Sequence, residues 1–166
     1  MAMVLEVLGL SPMGYNSIPA ILPEKREATR QAAFVLADAL RENRTPRSFL
    51  TRRSFLNAIA AVAATGGSTN AVLHLLAMAR EVGVELSLDD FDAVSRRTPV
   101  IADLRPWGAY TAWELYEAGG TPLVVRRLVE AGLVDGEQRT VTGRTLQEEV
   151  AEAREATGQR VVRRVD

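Results

Sequence analysis

The chain has 166 residues, 47% of them hydrophobic and 25% charged, with a formal net charge of −1. This composition is globular rather than disordered, and the near-neutral balance leaves no electrostatic footprint for nucleic acid. Cysteine is absent, which excludes disulfides, thiolate metal sites, iron–sulfur ligation and a Cys nucleophile within these residues.

The length suits one domain or part of a larger one. No basic leader precedes a long apolar core, and no apolar run approaches the roughly 18 residues of a membrane span. A cytoplasmic protein without a membrane partner is expected.

Residues 1–10 are almost wholly apolar and read as a buried helix closed by Gly9. Residues 11–19 follow as a loop dense in turn formers. Its Gly14, Tyr15, Asn16 and Ser17 can line a site or simply carry the chain across. Pro23 and Glu24 then open a helix to about Asn43, with Pro in the first turn and acid at the positive dipole end. Its expected core face is Ala33, Val35, Leu36, Ala39 and Leu40, with Lys25, Arg26, Glu27, Arg30 and Glu42 toward water. Thr45-Pro46 ends it.

Thr51 caps a helix over residues 52–64, whose buried edge is Phe55, Ile59 and Val62. The stretch Ala64-Thr65-Gly66-Gly67-Ser68-Thr69-Asn70-Ala71 then organises the chain around itself. The glycines permit positive φ and close approach, and Ser68, Thr69 and Asn70 all favour an N-cap. Residues 72–78 are apolar on nearly every side, which predicts a central helix. Two readings of Gly67, Ser68, Thr69 and Asn70 stand side by side. They are a helical-hairpin cap, or they hold the anionic end of a substrate on free N–H groups at the positive end of a dipole. No Lys follows the glycines, so a P-loop is excluded. His74 is the only histidine and is expected at the edge of the core.

Gly83 stops this helix, and Ser87 with Asp90 has capping-box spacing for the next. The acids Asp89, Asp90 and Asp92 invite a metal, but a helix first turn explains all three, and Asp89 and Asp90 diverge on a helix. Residues 99–104 form the clearest strand, carrying Asp103, which can pair with Arg97 or Arg105 or face a cleft. A turn at Pro106-Trp107-Gly108 leads to a helix over residues 110–118, with Trp113, Leu115 and Tyr116 packed. Gly119-Gly120 breaks it. Thr121 and Pro122 restart a helix over residues 123–131 with Val124, Val125 and Leu128 inward. Residues 140–143 are extended, Thr145 and Glu148 box a helix over residues 146–156, and residues 159–165 read as a strand without an obvious partner. From the residues alone this is a helix-rich α/β domain with one candidate anion site. It offers no catalytic or metal-binding set.

Residues 1–12, 64–77, 88–92, 98–104, 117–120 and 140–146, taken in that order, closely resemble the dihydroxy-acid dehydratase family, which includes 6-phosphogluconate and sugar-acid dehydratases. The resemblance implies part of a three-layer α/β/α N-terminal domain with few short strands. It also implies a hydro-lyase that turns 2,3-dihydroxy acids into 2-keto acids for valine, isoleucine and pantothenate synthesis, and a homo-oligomer. In the complete family enzyme it further implies a [2Fe–2S] cluster, a Mg²⁺ ion and a serine base. This chain departs from that pattern. It has no cysteine, lacks the Cys-Asp-Lys magnesium motif, and places Lys25 in the wrong context for a carbamylated lysine. Residues 1–166 are therefore expected to be the back half of the N-terminal domain, cut at both ends and inactive alone. The alternatives are a stand-alone anion- or hydroxy-acid-binding module, a 6-phosphogluconate or sugar-acid dehydratase fragment, and a cysteine-free hydratase using Asp103 and a divalent metal.

Overall fold

The computed structural model describes residues 1–165. Its elements are α1 (Ala2–Val7), α2 (Pro23–Arg41), α3 (Pro46–Phe49), α4 (Arg52–Ala64), α5 (Asn70–Val82), α6 (Leu88–Arg97), α7 (Ala112–Ala118), α8 (Gly120–Glu130) and α9 (Leu146–Val150). The helix-rich reading holds. Among the described residues no strand ladder forms, and extended pieces meet only at isolated bridges.

The central helix is α4, not α5 as expected. Ala58, Ala60, Ala61 and Ala64 are fully buried in α4, and their small side chains let α1, α5, α6 and α8 all pack on it. Its start is a capping box in which the Thr51 N–H donates to Ser54 Oγ at 2.9 Å. Arg52 then forks onto Asp90 at 2.5 and 3.2 Å, tying the start of α4 to that of α6. The Ser87–Asp90 box is present as expected, with the Ser87 N–H donating to Asp90 Oδ2 at 2.9 Å. The Arg52 hydrogen bond, then the Ser87 amide, hold the Asp90 carboxyl below its usual range.

By contrast α5 lies on the surface, with Leu73 66% exposed and His74 and Ala77 also in solvent. Only Ala71, Leu75 and Ala79 face inward. A helix apolar on all sides needs neighbours on all sides, and α4 covers only one.

Of the core face expected for α2, only Ala39 is buried. Ala28 and Ala39 are its buried residues, while Leu36 and Leu40 are 59% and 74% exposed. The short α3 was not anticipated from Thr45-Pro46; Pro46 sits in its first turn, where a missing N–H costs nothing.

The apolar start behaves as predicted. In α1, Val4, Glu6 and Val7 are buried, with α4 and α8 covering it. A polar chain locks this seam. Asn57 Nδ2 donates to Asp135 O at 2.9 Å and Gln138 Oε1 at 2.7 Å, and Gln138 Nε2 donates to Val7 O at 2.8 Å. The inward face of α8 is Val124, Val125 and Leu128, as expected. That helix begins two residues before Pro122, at Gly120. Thr121 is thus a buried first-turn residue rather than the cap.

Two further boundaries move. The helix expected from Tyr110 starts at Ala112 under a Thr111–Glu114 capping box, which was missed. Its Trp113 remains 41% exposed, in an aromatic pair with Tyr116. The last helix keeps its Thr145–Glu148 box but stops at Val150 rather than continuing to residue 156. The two expected strands, residues 99–104 and 159–165, do meet each other. Ala102 bridges Val162 antiparallel, and the Arg163 N–H donates to Ile101 O at 2.8 Å. One bridge is not a ladder, because both segments spend their other groups elsewhere: Ile101 and Ala102 both donate to Ala64 O.

Candidate functional site

Three stretches singled out in the sequence converge at the C-terminal end of α4. Thr65 Oγ1 lies 4.0 Å from Met3 Sδ, bringing the start of α1 to this end. Ala64 O accepts from Ile101 and Ala102 at 2.8 and 3.0 Å, bringing in the segment that carries Asp103. Between them the chain turns through Gly66, Gly67, Ser68 and Thr69 into Asn70, the first residue of α5.

Each glycine has a local reason. Gly66 adopts φ 60°, the left-handed position that ends many helices. Gly67 donates to Val62 O at 2.9 Å, and a Cβ there would stand 2.8 Å from Val62 Cγ1. That space is filled by α4 itself, so Gly67 serves close backbone packing. Ser68 Oγ accepts the Asn70 N–H at 3.2 Å, and Thr69 makes no side-chain cap bond. Ser68, Thr69 and Asn70 are exposed. Ala71 and Val72 donate back to the carbonyls of Ser68 and Thr69, while the amides of Ser68 and Thr69 donate to no acceptor among the described residues. The turn therefore caps its own helix with Ser68 and leaves two amides of exposed residues without an acceptor among the described residues.

Asp103 is exposed and makes no ion pair with Arg97 or Arg105. Its Oδ2 accepts the Ala109 N–H at 3.3 Å and its carbonyl accepts Tyr110. Gly108 is pressed against it, leaving no room for a Cβ. The acid folds its own turn. Asp92 pairs with Arg96 and Asp90 with Arg52, so the acids at residues 89–92 are divided among separate partners. Among the described residues no group of three His, Asp or Glu side chains is gathered for a metal ion.

The acid that composition and spacing missed is Glu6. It is 0% exposed, and its carboxylate accepts the N–H groups of Gly14, Asn16 and Ser17 at 3.0, 2.6 and 3.2 Å and the Thr121 hydroxyl. Burial raises its pKa, and these donors only partly offset that rise. Glu149 adds a second clamp, accepting from Met13 at 3.0 Å and from the Thr140 and Thr142 hydroxyls at 2.5 Å each. Lys25 Nζ donates to Tyr15 O at 2.8 Å, a structural role. The loop at residues 11–19 is thus wrapped around carboxylates. The available signal was an acid alone inside an apolar run, followed by a loop rich in free N–H groups.

A cavity of about 910 Å³ lies elsewhere, between the start of α4 and residues 132–139. Gly67, Ser68, Thr69 and Asn70 do not line it.

Residues 1–149 match the family described as Dihydroxy-acid/6-phosphogluconate dehydratase N-terminal. The chain is 72% identical over 163 residues to a dihydroxy-acid dehydratase of Thermus thermophilus, covering 98% of this chain and 29% of that protein. It is 55% identical over 166 residues to the dihydroxy-acid dehydratase of a Roseiflexus species, covering 100% and 30% respectively. For that of Koribacter versatilis the identity is 50% over 163 residues, 98% of this chain and 28% of the relative. The chain spans less than a third of the length of each of these relatives. With most of its length matched in order, the chain belongs to the dihydroxy-acid/6-phosphogluconate dehydratase family, as a stretch of its N-terminal region.

Proposed function

We propose that this chain is a portion of a dihydroxy-acid dehydratase, a hydro-lyase converting a 2,3-dihydroxy acid to a 2-keto acid in cytoplasmic branched-chain amino-acid synthesis. In the complete, homo-oligomeric enzyme its helices would form part of a three-layer α/β/α N-terminal domain. The observation that carries this is 72% identity over 98% of the chain to a protein of that name. The family's [2Fe–2S] cluster needs thiolate ligands, and this chain has none. Nor do its described residues gather a carboxylate set for Mg²⁺. The residues present do not fit either group, and no chemical step is assigned to them.

The contribution proposed for this portion is to hold the substrate. Gly67, Ser68, Thr69 and Asn70 would take the carboxylate of the hydroxy acid on the unpaired amides of Ser68 and Thr69. A helix N-terminus favours an anion there by about 0.3–1 kcal/mol. The exposed position of the turn, beside the start of α1, supports this reading.

The test is anaerobic reconstitution of the chain with iron and sulfide, read by iron content, visible absorbance and 2-keto acid formation. No stoichiometric iron and no turnover are expected, and a stoichiometric cluster with turnover overturns the reading. For the turn, Thr69→Pro in a full-length dehydratase removes one of the two proposed amide donors at φ −58°, a value proline tolerates, and should raise KM. An unchanged KM removes the site.

A further inference from the structure

We propose that the groove between α8 and the tail at residues 159–165 is a binding site for an oxyanion, a small molecule bearing phosphate or carboxylate groups. The inference is independent of the dehydratase reading. Two adjoining cavities of about 720 and 340 Å³ share Arg127, Arg164 and Val165. Arg160, Arg163 and Glu155 complete the charged lining of the larger one. Four guanidinium groups facing one acid stand out on a chain whose net charge is −1.

That acid is already neutralised. Both Glu155 oxygens accept from Arg127 Nη2 at 2.7 Å, and Arg126 Nη2 and Gln159 Nε2 bond it at 3.1 and 3.0 Å. Glu130, on the rim of the smaller cavity, is held by Arg127 Nη1 at 3.3 Å and by Arg126. Arg160, Arg163 and Arg164 make no ion pair among the described residues. Arg127 itself is only 7% exposed, and its Nε is buried without a hydrogen-bond partner. A buried guanidinium donor left open is costly unless something completes it.

The backbone that presents these arginines is stiff. The Gln159 side chain brackets Val162, accepting its N–H at 2.9 Å and donating to its carbonyl at 2.8 Å. Arg163 Nη2 donates to Val100 O at 2.7 Å. Guanidinium forks match the paired oxygens of phosphate and carboxylate, and a backbone held beforehand need not be ordered on binding.

The experiment titrates the chain with inorganic phosphate and, separately, with citrate. Ionic strength is held constant with sodium chloride, and binding is followed by calorimetry and by arginine side-chain NMR. Saturable binding of at least one is expected, weakened about tenfold or more in R160A/R164A. These side chains are exposed, and far-UV circular dichroism checks that the variant folds. R41A/R96A, which removes two exposed arginines elsewhere, should leave binding unchanged. Saturation by phosphate alone or citrate alone supports the site and names the chemistry it prefers, and saturation by both supports the shared oxyanion class. No saturation by either, equal affinity in R160A/R164A, or an equal loss in R41A/R96A overturns it.

Discussion

Helices α1 and α2 are both rich in apolar residues, yet they end in opposite environments. The six-residue α1 is enclosed by α4 and α8, and even its one acid, Glu6, is satisfied inside. The 19-residue α2 buries only Ala28 and Ala39 and leaves Leu36 and Leu40 in solvent. An apolar face states what a helix can bury, whereas burial itself requires a second surface to be delivered to it. For α1 the buried faces of α4 and α8 are that surface. For α2 the described residues supply only a narrow strip.

The sharpest way to break this contrast is a matched pair of truncations. Leu8→Ala, just after α1 at a fully buried position, should lower the unfolding free energy by about 2–5 kcal/mol. Leu40→Ala on α2 should stay within about 0.5 kcal/mol. Urea unfolding of both variants decides it, and equal losses would show that α2 is buried in solution.

Glu6→Gln should cost about 1–3 kcal/mol, because one amide oxygen replaces a carboxylate that accepts three backbone N–H groups. Its pH signature has a definite sign. The native pKa of Glu6 is raised, so the native state holds its proton more tightly than the unfolded chain does. Its contribution is fully present below the ordinary value of 4.5 and is lost as pH rises through the raised native value. Asp90, whose pKa is lowered, contributes stability that is lost as pH falls through its native value. Wild type minus Glu6→Gln and wild type minus Asp90→Asn should therefore slope in opposite directions with pH. Parallel slopes would refute the burial of Glu6.

At the turn, Gly67→Ala should cost about 1–3 kcal/mol through overlap with Val62, and Val62→Ala in the same chain should recover part of it. Ser68→Ala removes one exposed hydrogen bond and should cost about 0.5–1 kcal/mol. If Gly67→Ala is neutral, the close packing on α4 is wrong.

The smallest stability effect belongs to Leu36→Gln with Leu40→Gln, expected within about 0.5 kcal/mol. The same pair should reduce self-association in light scattering, since exposed apolar surface drives it. The apolar start of the chain packs under α4 and α8, so the exposed leucines of α2 are the expected source. Unchanged scattering would return attention to Leu73 on α5.

Much of the local structure was legible. The cap at Thr51 and the capping boxes at Ser87 and Thr145 rest on residues within one turn, and the helices start there. The inward triad of Val124, Val125 and Leu128 follows from helical spacing alone. At the candidate site, Gly66 and Gly67 were rightly read as a turn between two helices. Their individual reasons, a positive φ at one and a Val62 contact at the other, needed the partner helix in view.

By itself the sequence determined where α2, α4, α6 and α9 begin, that the apolar start packs inward at Val4, Val7 and Leu8, and which family the ordered motifs belong to. Those rest on bonds between near neighbours and on residue identities along the chain. Only the tertiary structure decided that α4 is central rather than α5, that the two tail segments pair with each other, and that Glu6 anchors the loop at residues 11–19. Each depends on surfaces brought together from distant parts of the chain, and no local spacing encodes which apolar face will find another.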